Sequence, residues 1–127
     1  MDSQQDKKKI LVIDDDPLML RTIRGWLSED YNVSVVPSGQ TALAFLQKFT
    51  PDLILLDFEM PVMSGPQLLE KLRADPEKSK IPVMFLTGKD DKEGLEKINS
   101  LNTKGVILKN RTPDQVKEII ADFFNKQ

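Results

Sequence analysis

The chain has 127 residues, 39% hydrophobic and 30% charged, which is the make-up of one soluble globular domain. Its 18 basic residues against 20 acidic ones leave a net charge of -2, which offers no field for gripping nucleic-acid phosphates. Neither cysteine nor histidine occurs, excluding disulfides, thiolate nucleophiles, imidazole bases and the usual zinc ligands, so chemistry falls to carboxylates, lysines, hydroxyls and a hard metal.

The start, MDSQQDKKKILVIDDD, has basic residues before an apolar run, but four apolar residues followed by three aspartates cannot serve as the core of a signal peptide. No apolar run approaches the ~20 residues of a membrane helix. The expectation is a cytoplasmic protein with no membrane contact, a flexible segment at 1–8 and one domain over 9–127. Lys7, Lys8 and Lys9 read as a solvated edge.

Short apolar runs that read as strands stand at 10–13 (ILVI), 33–36 (VSVV), 53–56 (LILL), 81–86 (IPVMFL) and 105–108 (GVIL), and each is followed by helical spacing. After the first, Asp16 and Pro17 make a cap and first-turn pair, and Met19, Leu20, Ile23, Trp26 and Leu27 share one face. SGQTALAFLQKF then puts Ala42, Leu43, Phe45, Leu46 and Phe49 at helical spacing, and SGPQLLEKLRA does so with Leu68, Leu69 and Leu72. A fourth helix, in DDKEGLEKINSL, is weakened by Gly94. The fifth carries the fullest signal: Thr112 caps, Pro113 takes the first helical position and Gln115 closes a capping box ahead of Val116, Ile119, Ile120 and Phe123.

Alternating strands and helices, with strands apolar on both sides of the pleat, call for an α/β fold with a doubly wound five-stranded parallel sheet. In such sheets ligands bind outside the carboxyl ends of the strands. Those ends deliver Asp14, Asp15 and Asp16 from the first strand, Asp57 from the third, Thr87 from the fourth and Lys109 from the fifth, while the second ends in PSG. If the spatial order is 2-1-3-4-5, the four strands with polar ends are contiguous and the silent one lies at the edge.

Carboxylates gathered there repel, since two like charges ~4 Å apart cost about 4 kcal/mol at an effective dielectric of ~20. Lys109 supplies one positive charge, and an all-oxygen donor set favours a hard divalent ion such as Mg²⁺ (or Mn²⁺). Mg²⁺, a lysine, a hydroxyl and a carboxylate are the parts of phosphoryl transfer, with Asp57 the natural nucleophile at the end of the central strand.

VIDDDP, LLDFEMPVMSG, FLTG and VILK, in that order and spacing, resemble a response-regulator receiver domain, the CheY-like phosphoacceptor module of two-component phosphorelays. The resemblance runs from residue 9 to about 124 and implies the flavodoxin-like (βα)5 fold with that strand order. It implies that Asp57 accepts a phosphoryl group from a phosphohistidine on a histidine kinase or histidine phosphotransfer protein. Asp15 and Asp57 would ligate Mg²⁺ directly, with the backbone carbonyl of Glu59, and Asp14 would act through water. Lys109 would pair with Asp57 and then with the phosphoryl oxygens, and Thr87 would hydrogen-bond the arriving group. The chain would be a signalling module and not an enzyme, catalysing only its own phosphorylation and dephosphorylation.

Further expectations concern the surroundings. Glu59 and Lys89, each two residues beyond a site residue, are expected at the rim, shielding the acyl phosphate from water. Leu18, Arg21 and Thr22 lie on the outer face of the first helix, where the family docks its histidine-bearing partner. A downstream protein would read the face formed by the fourth helix, fifth strand and fifth helix, through which receivers also often form homodimers. Two departures bear on output: Val106 stands where the family often has a switching aromatic, and Lys109-Asn110 replaces the usual Lys-Pro. A cis bond there would cost about 2.5 to 4 kcal/mol without proline, so trans is expected. Two rival readings stay open: a pseudo-receiver that binds without phosphorylation, and a haloacid-dehalogenase-like phosphatase using the D-x-D of Asp14 to Asp16, which lacks the acidic pair that family needs after its lysine.

Overall fold

The computed structural model describes residues 7–88, 96 and 103–126. Five strands, β1 (Lys9–Ile13), β2 (Asn32–Val36), β3 (Leu53–Asp57), β4 (Val83–Thr87) and β5 (Gly105–Leu108), form one parallel sheet in the order β2-β1-β3-β4-β5. Among the described residues four helices accompany it: α1 (Pro17–Leu27), α2 (Gly39–Leu46), α3 (Gly65–Ala74) and α4 (Pro113–Asn125), the last being the fifth helix expected from sequence. The expected fourth helix, apart from helical Glu96, lies outside the described residues. Among the described residues no helix is long and apolar enough to cross a membrane.

Side chains alternate across a strand, so each strand feeds two cores. Ile10, Val12, Leu53, Leu55, Met84, Leu86 and Ile107 pack on one side with Leu20, Ile23 and Leu27 of α1 and Val116, Ile120 and Phe123 of α4. Leu11, Ile13, Ile54, Leu56, Val83 and Phe85 pack on the other with Ala42 and Leu46 of α2 and Leu68, Leu69 and Leu72 of α3. β3 is buried along its whole length. β2, at the sheet edge, is only half-buried.

Helix starts are fixed locally. The Asp16 carboxylate accepts from the Leu18 N–H at 2.9 Å ahead of Pro17. Thr112 and Gln115 close the anticipated capping box, and Ser64 with Gln67 and Ser38 with Thr41 close two more. Most strands shift by one residue at an end from the sequence reading, and two larger differences have a physical cause. The fourth strand begins at Val83, not Ile81, because Pro82 has no N–H for the ladder and contributes only its carbonyl, which accepts from Ile54 at 2.9 Å. Phe49 was expected on the buried face of α2, but that helix ends at Leu46 and Phe49 is 57% exposed, its ring 4.9 Å from that of Phe45. Pro51 disfavours helical backbone at Thr50, so the chain leaves the helix before Phe49 can turn inward.

Candidate functional site

The carboxyl ends of β1, β3, β4 and β5 meet at a cleft of about 320 Å³ lined by Asp14, Asp15, Asp16, Asp57, Phe58, Glu59, Thr87, Gly88 and Lys109. Every residue expected to carry chemistry is therefore brought to one place by the strand order. Phe58 and Gly88 were not singled out from sequence. Phe58 follows Asp57 directly, and its ring packs edge-on against Phe85 at 5.5 Å.

The three N-terminal aspartates have different fates. Asp14 is fully buried, with its N–H donating to the Val36 carbonyl at 3.3 Å and its Oδ1 accepting from the Asp16 N–H at 3.0 Å. Asp15 and Asp16 are exposed, and Asp16 caps α1. Asp57, the last residue of β3, is 5% exposed. Thr87 ends β4 and is half-buried, and its carbonyl accepts from the Lys109 N–H at 2.8 Å. That backbone link continues the β4–β5 ladder one step past the strand and delivers Lys109 to the cleft.

Lys109 ties the site together. Its ammonium lies 2.9 Å from Asp14 Oδ2 and 3.0 Å from Asp57 Oδ1. Burial alone would lower its pKa, but the contacts with Asp14 and Asp57 outweigh that and hold it above the ordinary lysine value. Asp57 moves the other way for a carboxylate: burial above all, with the Asp14 charge and a hydrogen bond that its protonated form donates to Asp15, outweighs Lys109 and pushes it up to about 7.

One ammonium among these carboxylates leaves the cleft electronegative. Ligand oxygens of Asp14, Asp15 and Asp57 all lie within 4.8 Å of one another. Asp14 Oδ2 is buried, and it meets Lys109 as an ion pair off the line of a directed hydrogen bond. A buried oxygen without a directed donor, next to two more carboxylates and with no nitrogen or sulfur ligand nearby, fits a hard divalent cation.

At the rim, Glu59 is exposed on the cleft edge, whereas Lys89 lies outside the described residues. Leu18 is 63% exposed in the first turn of α1, Arg21 is exposed and Thr22 half-buried. Val106 is half-buried and packs against the core that contains Phe85. No described peptide bond is cis, so Lys109-Asn110 is trans as expected. In the loop after Asp57, the Met63 N–H donates to the Pro61 carbonyl at 2.7 Å, closing a three-residue turn around Val62, which has φ of 70° and is 93% exposed. Nothing in the sequence marks Val62 for that conformation.

The model of the response regulator receiver domain family matches residues 10–121. The sensor histidine kinase TmoS of Ectopseudomonas mendocina is 40% identical over 106 residues, which are 84% of this chain but only 11% of that protein. Chemotaxis protein CheY-3 of Vibrio cholerae serotype O1 is 32% identical over 93% of this chain and 92% of its own length. Among solved structures, the receiver domain of a signal transduction histidine kinase from Syntrophus aciditrophicus superposes with a TM-score of 0.84 at 27% identity, covering 94% of this chain and 91% of that one. Matching modules thus occur both inside a large kinase and as nearly whole small proteins. The chain belongs to the response-regulator receiver domain family of two-component signalling.

Proposed function

We propose that Asp57 is a phosphoacceptor, taking a phosphoryl group from a phosphohistidine of a histidine kinase or histidine phosphotransfer protein. The observation that carries this reading is the placement of Lys109, within 3.0 Å of Asp57 and 2.9 Å of Asp14 in a cleft open at the strand ends. A carboxylate oxygen of Asp57 would attack phosphorus, the P–N bond to the donor imidazole would break and a P–O bond would form. The Lys109 ammonium would neutralise charge on the transferred oxygens, and the Thr87 hydroxyl would hydrogen-bond one of them. Asp15 and Asp57 would hold Mg²⁺ with the Glu59 carbonyl, and Asp14 would contribute through water. When bound, the ion supplies charge neutralisation at the phosphoryl oxygens.

On this reading the chain promotes only its own phosphorylation and dephosphorylation, and the change in charge at Asp57 alters what its surface binds. Leu18, with Arg21 and Thr22, would meet the donor, a reading that the exposure of Leu18 in the first turn of α1 supports. Glu59 would slow water attack on the acyl phosphate.

The test is incubation with Mg²⁺ and acetyl phosphate, read by intact mass with and without EDTA, alongside Asp57→Asn. One hydroxylamine-labile phosphoryl adduct that needs both Mg²⁺ and Asp57 is expected. A folded protein that takes no adduct from acetyl phosphate or a phosphorylated kinase would refute the proposal in favour of a binding module. Phosphate release that survives Asp57→Asn but not Asp14→Asn would favour a phosphatase.

A further inference from the structure

We infer that Gly65 is a positioning residue for Asp57, its missing side chain letting the start of α3 sit flush against the peptide that carries the acceptor carboxylate. The inference rests on the phosphoacceptor reading. Gly65 is buried, and its N–H donates to the Phe58 carbonyl at 3.0 Å. The Phe58 N–H donates in turn to the Leu86 carbonyl at 3.0 Å, so the segment after Asp57 is held between β4 and the first residue of α3.

The fit leaves no room for a methyl group. A Cβ built on Gly65 would stand 2.3 Å from the Asp57 carbonyl oxygen, 2.8 Å from Cε1 of Phe85 and 3.1 Å from Cα of Phe58. Two of these three neighbours are backbone, and the nearest belongs to Asp57 itself. Even a weak C–H···O contact closes only to about 3.3 Å, so relief needs a shift of about 1 Å. The Ser64–Gln67 capping box and the buried Leu68, Leu69 and Leu72 hold α3 in place. The end of β3 is therefore the part that yields, and it carries the carboxylate that must face Lys109 and the metal-binding oxygens. Displacements of about 1 Å at a reacting group can cost up to ~100-fold in rate.

Gly39 makes a comparison of opposite kind. A Cβ there would come 2.6 Å from Sδ of Met63 and 3.2 Å from its Cγ, but that side chain can rotate away. At Gly65 nothing can rotate out of the 2.3 Å approach.

The experiment compares wild type with Gly65→Ala, Gly39→Ala, Leu72→Ala and the double variant Gly65→Ala/Phe85→Leu. Each is phosphorylated with acetyl phosphate, giving a rate constant per folded molecule and a half-saturating Mg²⁺ concentration, and each is melted. Gly65→Ala should lose roughly tenfold or more in rate and need more Mg²⁺. Gly39→Ala and Leu72→Ala should stay within about twofold of wild type per folded molecule, Leu72→Ala despite a lower melting temperature. The double variant removes the aromatic neighbour but not the Asp57 carbonyl, so it should not recover rate, and it carries the test if Gly65→Ala does not fold.

A Gly65→Ala protein with wild-type rate and Mg²⁺ demand would overturn the inference. Full rate in the double variant, or an equal loss in Leu72→Ala, would overturn it as well, by reducing Gly65 to a packing residue. A folded wild type that takes no phosphoryl group would sink the phosphoacceptor reading and this inference with it, an outcome distinct from the other three.

Discussion

Replacing Asp57 by asparagine should make the metal-free protein more stable at neutral pH. Asp57 has its pKa raised from 3.8 to about 7, first by burial and then by the Asp14 charge, against the opposing pull of Lys109. The folded state therefore binds a proton more tightly than the unfolded chain, and Asp57 contributes stability that is full below about pH 4 and lost as pH rises to about 7. Raising the carboxyl from 3.8 to about 7 corresponds to no more than about 4 kcal/mol. Solvent at the cleft mouth and the lost contact with Lys109 reduce the net gain of Asp57→Asn to about 1–2 kcal/mol. Urea melts of both proteins in EDTA between pH 5 and 8 would measure it. The asparagine variant should gain its advantage progressively with pH and hold it above pH 7. Saturating Mg²⁺ should shrink the advantage, because the ion binds the wild-type carboxylate in the folded state. A difference that does not change with pH, or an asparagine variant less stable at pH 8, would refute the electrostatic account.

Other expectations follow from single contacts. Arg73 donates through Nη1 to the carbonyls of Ser79 and Ile81, both at 2.9 Å, tying the end of α3 to the turn before β4. Arg73→Ala should cost about 2–3 kcal/mol in urea melts, with Arg73→Lys recovering only part, since an ammonium lacks the guanidinium fork. Val62, β-branched at φ of 70° and almost wholly exposed, loses no packing when replaced. Val62→Gly should therefore raise stability by about 1 kcal/mol, seen as a melting temperature about 4 °C higher. Glu59→Ala should speed loss of the acyl phosphate several-fold in a phosphate-release assay, and an unchanged rate would remove Glu59 from any shielding role.

The fold was legible because its signals are local and repeated. Five apolar runs, four of them closed by an acid, a hydroxyl or a lysine and each followed by a helical pattern, leave few topologies, and the strand order gathers the polar ends. Individual fates within a motif were less legible. Nothing in DDD distinguishes buried Asp14 from exposed Asp15, because at a strand end the burial of each side chain depends on which neighbour closes over it, here Val36 and Lys109. Phe49 looked like a helix-face residue because spacing carries no knowledge of where the helix stops. Gly65 and Val62 were invisible for a different reason. Both depend on how closely the loop after β3 folds back, a distance between parts of the chain that no periodicity encodes.

Lys109 also limits how a change at Asp57 can leave the cleft. Its ammonium is shared between Asp14 and Asp57, so a phosphoryl group on Asp57 would draw it toward the new oxygens and weaken its hold on Asp14. The lysine backbone is fixed to the Thr87 carbonyl at 2.8 Å, which couples such a movement to the end of β4. A side-chain relay through β5 has little to work with, because Val106 is half-buried against the Phe85 core and its short branched side chain has no ring to swing. On the phosphoacceptor reading, output would therefore pass through the backbone at Thr87 and Gly88, where the chain leaves β4, and not through a rotamer exchange in β5.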